Sequence, residues 1–202
     1  MSEASWREQV RATIRAEARP VDKYGHQPRV YRLACQLGEG LSYDDDVLFA
    51  ACWLHDLGVF VGNRPEDPEQ LAHWNHLVYT IERSRQMLKG WGFPVEKLNQ
   101  VTAAIETHQS WDDPVELEAV LLHDADILEQ LGAIGAMRAL VKVGRDTRFD
   151  TFTQVRPVLL KAVSELPACL RLSSARELAR PRIEVLQIFL SAIEAEAGNL
   201  LE

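Results

Sequence analysis

Histidine and aspartate side chains stand in this sequence at positions where the surrounding pattern calls for apolar residues. The eight apolar residues 47–54 lead directly into His55 and Asp56. His26 and His108 likewise lie at helical spacing from apolar residues of their own segments. An unpaired carboxylate in a dry interior is very costly, so buried charges are normally paired or bound to metal. Asp56 therefore needs a positively charged partner.

Metal binding is the chemistry that suits this set of side chains. Imidazole nitrogen and carboxylate oxygen are both good ligands for divalent ions of the manganese, iron, cobalt, nickel and zinc type. As neighbours on a predicted helix, His55 and Asp56 point about 100° apart, so both can reach an ion that lies between them. The ion would supply the positive charge that Asp56 needs. For any one of these histidines taken alone, a hydrogen-bonded core histidine is the alternative.

Composition narrows the classes of protein to which the chain can belong. The 202 residues suit one domain, and an apolar fraction of 47% is enough for a sizeable core. The net charge of −8 argues against a nucleic-acid surface, which needs clustered positive charge. No apolar run approaches the length of about 18 residues that indicates a membrane span. The three widely spaced cysteines and the polar N-terminal segment predict a cytoplasmic protein with reduced thiols.

The elements that must position these side chains are predicted to be helices, because helical periodicity dominates and no convincing strand alternation occurs. The predicted helices span about residues 5–18, 26–37, 47–57, 70–90, 95–109, 114–143, 153–166 and 174–197. The sixth is expected to bend at the glycines of its GAIG segment. Ser174 and Glu177 fit a capping box at the start of the last. The segment GRDTRFD, with Arg145 and Arg148, is expected to be a solvated loop.

Several motifs occur in a definite order along the chain. YGHQPRVYRLA contains the pattern H-x-x-R-V, WLHDLG contains the His-Asp pair, and VTAAIETHQ contributes a later histidine. DADILEQLGAIGAMR follows the pattern D-A-D-x-L-x-x-x-G-A-x-G. Over about residues 20–195, this ordered set resembles the HD-domain superfamily of metal-dependent phosphohydrolases, in particular its small bacterial hydrolases.

The resemblance implies an all-α fold, a helical bundle around a buried metal site. The expected organisation is a single domain over residues 1–202. Its core would lie at about 20–145, and the C-terminal helices at about 150–197 would pack on it.

The resemblance also implies a ligand set. Carried over by position, the expected metal ligands are His26, His55, Asp56 and Asp126. His76 and His108 match two further family histidines, which hold a second metal ion in some members and face the substrate phosphate in others. One or two divalent ions are expected, with Mn, Ni, Co, Fe, Mg and Zn as the candidates.

Two aspartates compete for the last ligand position. The segment LLHDADILEQLG contains Asp124 and Asp126, and the helical wheel favours Asp124 as inward-facing. The family motif favours Asp126, and we follow the motif. Asp124 could then orient a ligand histidine from outside the ligand shell. His123 and His73 match no motif position and are expected to have surface or structural roles.

The function implied by the resemblance is hydrolysis of a phosphate ester in a nucleotide or similar small molecule. Asp126, His76 and His108 are the expected catalytic residues, which would assist attack by water and stabilise charge on the phosphate. Two alternatives stay open: a di-iron oxygenase of the HD type, which uses the same six positions, and a non-catalytic metal-binding regulatory domain. The expected partner is a small phosphorylated substrate, with no nucleic acid and no membrane; the oligomeric state is not predicted.

Overall fold

Helices account for the regular structure of the chain. The computed structural model describes residues 4–145, 149–198 and 200–201, and these contain ten α-helices and no extended strand. The predicted all-α class is therefore confirmed. The helices are α1 (Trp6–Glu17), α2 (His26–Leu37), α3 (Asp45–Leu54), α4 (Pro68–Ala72), α5 (His76–Gly90), α6 (Leu98–Glu106), α7 (Leu117–Glu129), α8 (Gly132–Leu140), α9 (Phe152–Cys169) and α10 (Ser173–Ala197).

The chain divides into two compact units, one that ends at His123 and one that begins at Asp124. That the whole chain forms one domain stays a prediction. No helix in the described part of the chain combines the length and the apolar character that crossing a membrane requires.

The first unit is organised around α3. All of residues 47–54 are buried, so this helix is apolar on every side. A helix that is apolar all round must be covered all round, and α3 packs against α1, α2 and α6. The apolar run of the sequence is thus the centre of the first unit, and His55 follows at its C-terminal end.

The N-terminus of α3 is held by acidic residues and their cationic partners. The Asp44 side chain accepts hydrogen bonds from the backbone N–H groups of Asp46 and Val47. Arg7 of α1 binds Asp46 at 2.6 Å, and Lys97 binds Asp44 at 2.7 Å. These contacts join α1 and the turn before α6 to the helix that carries His55.

Three predicted helices in this unit have wrong boundaries, and the one predicted at 95–109 is α6, Leu98–Glu106. The third helix ends at Leu54 instead of near Leu57, and a 3-10 turn, Leu57–Val59, follows. The predicted helix at 70–90 is two helices, because Asn75 caps a new N-terminus at α5. In both places a contact or cap outside the local periodicity sets the boundary. The second helix, His26–Leu37, has the predicted limits.

The second unit contains the packed helices α8, α9 and α10. The predicted sixth helix is divided between α7 and α8, and Gly132 stands at the division with a φ of +71°. The predicted capping box at Ser174 is wrong, because α10 begins at Ser173 and no side chain of its own caps it. The Asp124 carboxylate accepts the preceding N–H groups of Arg171 and Leu172 instead.

The acidic cluster at α3 makes stability depend on pH. The hydrogen bond from Arg7 lowers the pKa of Asp46, and Lys97 acts in the same direction against the opposing effect of burial. When folding lowers the pKa of a carboxyl group, its ionised form stabilises the folded state at pH values above the unfolded pKa of about 3.9. This stabilisation is lost as the pH falls through the folded-state pKa. Asp46→Asn should therefore cost up to about 1 kcal/mol of unfolding free energy near neutral pH.

Below about pH 4 the difference between Asp46→Asn and the parent chain should shrink. Urea denaturation across this range measures it. Glu39→Gln, which changes an exposed acid, is the matched control and should show no such trend. A cost of Asp46→Asn that stays constant with pH would contradict this account.

Candidate metal centre

Three ligand-type side chains meet at the ends of α2 and α3. The Nε2 atoms of His26 and His55 lie 3.2 Å apart. The Asp56 Oδ2 atom is 3.6 Å from the His26 nitrogen and 3.8 Å from the His55 nitrogen. Both histidines are buried, and Asp56 is partly exposed. We call His26, His55 and Asp56 the ligand cluster, because their ligating atoms all lie within 4.8 Å of one another.

A backbone hydrogen bond orients the His55 imidazole. Its Nδ1 atom is 2.9 Å from the carbonyl oxygen of Cys52. A carbonyl oxygen can only accept, so Nδ1 carries the proton. In the neutral ring Nε2 then carries a lone pair, which points toward His26 and Asp56. This is how metal-binding histidines are commonly fixed, with the second ring nitrogen donating to a carbonyl.

The spacing of the ligand cluster fits a divalent ion. Two ligand atoms that each lie about 2.1 Å from one ion are about 3.0 Å apart when the ligand–ion–ligand angle is a right angle. They are about 3.4 Å apart when that angle is tetrahedral. The observed 3.2 Å between the two imidazole nitrogens lies between these values, and the Asp56 oxygen, at 3.6 and 3.8 Å from them, is somewhat further away. The carboxylate supplies negative charge, and three protein ligands leave coordination positions for water or substrate. A mixed nitrogen and oxygen set suits Mn, Fe, Co, Ni and Zn.

The route by which Asp56 reaches the cluster differs from the prediction. His55 and Asp56 are not neighbours within a helix, because α3 ends at Leu54 and Asp56 has φ −105° and ψ 13°. The backbone turns at this point, and the turn brings the carboxylate beside both imidazoles. These three side chains do lie together, but the helical geometry expected for His55 and Asp56 was wrong, and their role as metal ligands stays a prediction.

A second pair of histidines lies beside the ligand cluster. His108 follows the end of α6, and its ring packs edge-on against the His55 ring with centroids 5.0 Å apart. The Gln109 amide nitrogen is 2.9 Å from Nε2 of His108 and 3.3 Å from Nε2 of His76. The structure thus brings the predicted His76 and His108 together, with Gln109 between them. We call His76 and His108 the histidine pair.

His76 is placed by the turn that follows the ligand cluster. A Cβ atom at Gly58 would lie 2.4 Å from the carbonyl oxygen of His76, so only glycine fits there. The Gly58 N–H donates to Thr80 Oγ1 at 2.9 Å, and Trp74 Nε1 donates to the Gly58 carbonyl oxygen at 2.8 Å. The start of α5 is thereby held against the turn after Asp56.

Comparison with protein families decides the membership of the chain. The model of the HD domain matches residues 24–131, more than half of the sequence. The chain belongs to the HD domain family. The matched span contains the ligand cluster, the histidine pair and both candidate aspartates of α7.

Solved structures with this HD fold cover nearly the whole chain. Bacillus subtilis YpgQ matches with a TM-score of 0.74 and 22% identity, over 96% of this chain and 97% of its own. The structure of YpgQ in complex with ADP matches with a TM-score of 0.70 and 21% identity, over 96% of this chain and 99% of its own. An HD-superfamily hydrolase from Bacillus thuringiensis matches with a TM-score of 0.67 and 18% identity, over 94% of this chain and 95% of its own. No curated protein sequence matches the chain.

The two competing aspartates of this HD domain differ in their surroundings. Asp124 is buried, as the wheel predicted, and its carboxylate oxygens lie 2.7–3.1 Å from the backbone nitrogens of Arg171 and Leu172. Asp126 is half-buried, and its Oδ2 atom accepts a hydrogen bond of 3.2 Å from Gln130. Asp126 belongs to the second unit, and its place among the metal ligands stays a prediction.

The remaining histidines and arginines singled out in the sequence differ in exposure. His73 is exposed, while His123 is fully buried, so a surface role is wrong for His123 and a structural one remains. Arg145 is exposed, as a solvated loop requires, and Arg148 lies outside the described residues.

Sequence reasoning missed Gln109, Gly58 and Thr80. Gln109 directly follows a candidate ligand, which is the one local signal that pointed to it. Gly58 directly follows the predicted third helix, where a glycine indicates only a helix end. Its contact with His76 and its hydrogen bond to Thr80 depend on tertiary packing, which the sequence pattern does not encode.

The contact at Gly58 generates a test of how His76 is positioned. Gly58→Ala should lower the free energy of unfolding by about 1–3 kcal/mol, because the added methyl group overpacks against the backbone of His76. Gly90→Ala is the matched control: an added Cβ there meets no atom within 4 Å, and alanine favours the helix. Urea denaturation midpoints measure both. Equal effects of the two substitutions would contradict the proposed constraint.

Proposed function

We propose that this HD domain is a metal-dependent phosphohydrolase that hydrolyses a phosphate ester of a nucleotide or a similar small molecule. The ligand cluster carries the proposal, because two buried imidazoles and a carboxylate converge with spacing that fits one divalent ion. When bound, such an ion polarises a phosphoryl oxygen and lowers the pKa of water, which is the chemistry that phosphate ester hydrolysis needs.

Each residue of the ligand cluster has a distinct role in this proposal. His26 and His55 supply neutral nitrogen ligands, and the Cys52 carbonyl holds the His55 ring in the required tautomer. Asp56 supplies the negative charge that offsets the ion. Being partly exposed, Asp56 stands on the side from which water and substrate can arrive.

Asp126 is proposed as the fourth ligand and as the residue that orients the attacking water. Two arguments support this choice over Asp124. The motif resemblance implies Asp126 as the ligand, and the Asp124 carboxylate is already engaged with the backbone before α10. Asp124 is therefore assigned a structural role.

The histidine pair is proposed to face the phosphate. His76 and His108 lie next to the ligand cluster, and both carry nitrogen atoms at hydrogen-bonding distance from Gln109. With a proton on Nε2 in place of the lone pair, these imidazoles could donate to phosphate oxygens on which charge develops. A nucleotide is favoured as the substrate class because the similar fold of YpgQ has been solved in complex with ADP.

Activity tests the proposal directly. The purified chain, supplied with Mn²⁺, Co²⁺ or Ni²⁺, should hydrolyse at least one member of a panel of phosphomonoesters and nucleoside di- and triphosphates. His55→Ala should reduce the rate by at least about 100-fold, because it removes a ligand that also determines the electrostatics of the site. The control is His73→Ala, which changes an exposed histidine outside the site and should retain the parental rate.

Three results would contradict this proposal. Activity that survives in His55→Ala would assign the reaction to another site or to a contaminant. Iron in the isolated protein, together with O₂ consumption and no hydrolysis, would favour the oxygenase alternative. A chain that binds no divalent ion on titration would favour a regulatory domain.

Metal titration separates the two aspartates. Asp126→Asn should weaken Mn²⁺ binding by more than about 10-fold, the lower end of the effect that even outer-shell changes have on metal affinity. Asp124→Asn should leave Mn²⁺ affinity within a few-fold of the parent and instead lower the denaturation midpoint, because it weakens the acceptor for Arg171 and Leu172. The reverse pattern would make Asp124 the ligand.

A further inference from the structure

We propose that Gln109 keeps the histidine pair free of metal, so that the chain binds one divalent ion, at the ligand cluster, and not two. This inference rests on the proposed metal site and goes beyond it, because it assigns the number of ions to a side chain that is not itself a ligand. Gln109 lies between the two histidines that would otherwise hold the second ion.

The hydrogen bond of His108 determines which end of the Gln109 amide faces it. Nδ1 of His108 is 2.6 Å from the carbonyl oxygen of Ile105, so Nδ1 carries the proton. In the neutral ring Nε2 then has a lone pair. An amide oxygen placed 2.9 Å from that lone pair would repel it, whereas the amide NH₂ group donates to it.

The same NH₂ group can serve both histidines. It has two hydrogens, and its nitrogen is 2.9 Å from Nε2 of His108 and 3.3 Å from Nε2 of His76. A lone pair that accepts a hydrogen bond is not available to a cation. The amide nitrogen offers no lone pair of its own, so it cannot replace the imidazoles as a ligand. A second ion must therefore displace Gln109 and break its hydrogen bond to His108, together with the longer one to His76 where that ring carries its lone pair on Nε2.

The backbone at Gln109 is fixed by a reciprocal pair of hydrogen bonds. The Gln109 N–H donates to Asp112 Oδ2 at 2.9 Å, and the Asp112 N–H donates to the Gln109 carbonyl oxygen at 2.9 Å. This pair closes the turn that carries the side chain. A second ion would therefore have to turn the Gln109 side chain away, since the turn holds the backbone in place.

Cobalt binding tests the inference with a readout that does not require activity. Co²⁺ is titrated into the full chain, followed by calorimetry, by visible absorption and by metal analysis after dialysis. The parent should bind one ion per chain. Gln109→Ala should bind two, with the affinity for the second ion raised about 10- to 100-fold, which is the range expected when two opposing hydrogen bonds are removed.

Three further variants make the result specific. Gln109→Glu should also bind two ions, because its carboxylate can join the histidines as a ligand. Gln109→Ala combined with His108→Ala should return to one ion. Gln100→Ala, at an exposed position of α6, is the matched control and should bind one ion. Circular dichroism and the denaturation midpoint establish that each variant is folded.

The possible failures are distinguishable. Two ions of similar affinity in the parent chain would overturn the role of Gln109 and leave the ligand cluster intact. One ion in Gln109→Ala and in Gln109→Glu would also overturn it, since removing the amide would not have opened a second site. No ion in any variant would overturn both this inference and the proposed function.

Discussion

The charge of Asp56 beside two buried imidazoles is the constraint on which the first unit depends. The carboxylate oxygen and the two Nε2 atoms lie within 4.8 Å of one another, and the His55 nitrogen presents a lone pair. A divalent ion would accept all three of these atoms as ligands and offset the charge of Asp56 in a poorly solvated place. The rest of the unit keeps them together: α3 is covered on every side, its N-terminus is held by Arg7 and Lys97, and His55 follows its C-terminal end. A stable helix core thus maintains an arrangement that suits a positive ion.

The sequence was sufficient for the helices whose ends are marked by local chemistry. Ser5 caps α1 with a full capping box, and Gly38 caps the C-terminus of α2, so both helices have nearly the predicted limits.

The sequence was insufficient where packing overrides periodicity. The turn at Gly58 must leave room for the backbone of His76, so α3 stops before the predicted end. His108 lies beyond the end of α6, and its Nδ1 atom donates a hydrogen bond to the carbonyl oxygen of Ile105. Helix periodicity identified the faces of these histidines but not the turns that aim them.

Asp124 shows why a correct prediction of burial can mislead about function. The helical wheel placed it inward, and it is fully buried. Burial of a carboxylate requires partners, and here the backbone N–H groups of Arg171 and Leu172 supply them from 47 and 48 residues away. No local sequence pattern indicates such a partner. The capping box expected at Ser174 is not formed, because α10 begins one residue earlier, at Ser173. Metal binding was one explanation for an inward-facing acid, and capping the segment before a helix in the same unit was another.

The proposed ligand residues alone do not separate the two candidate chemistries. The hydrolase and oxygenase hypotheses place metal on the same histidine and aspartate positions, so residues that contact the ligands without binding metal would have to distinguish them. Cys52 and Ile105 fix ring tautomers with their carbonyl groups, Gly58 admits the backbone of His76, and Gln109 donates to the lone pairs that a second ion would need. Each of these contacts is short and specific, and three of the four involve backbone atoms. A motif search that records only ligand types cannot register them, which is why substrate and metal number have to be argued from the atoms around the ligands.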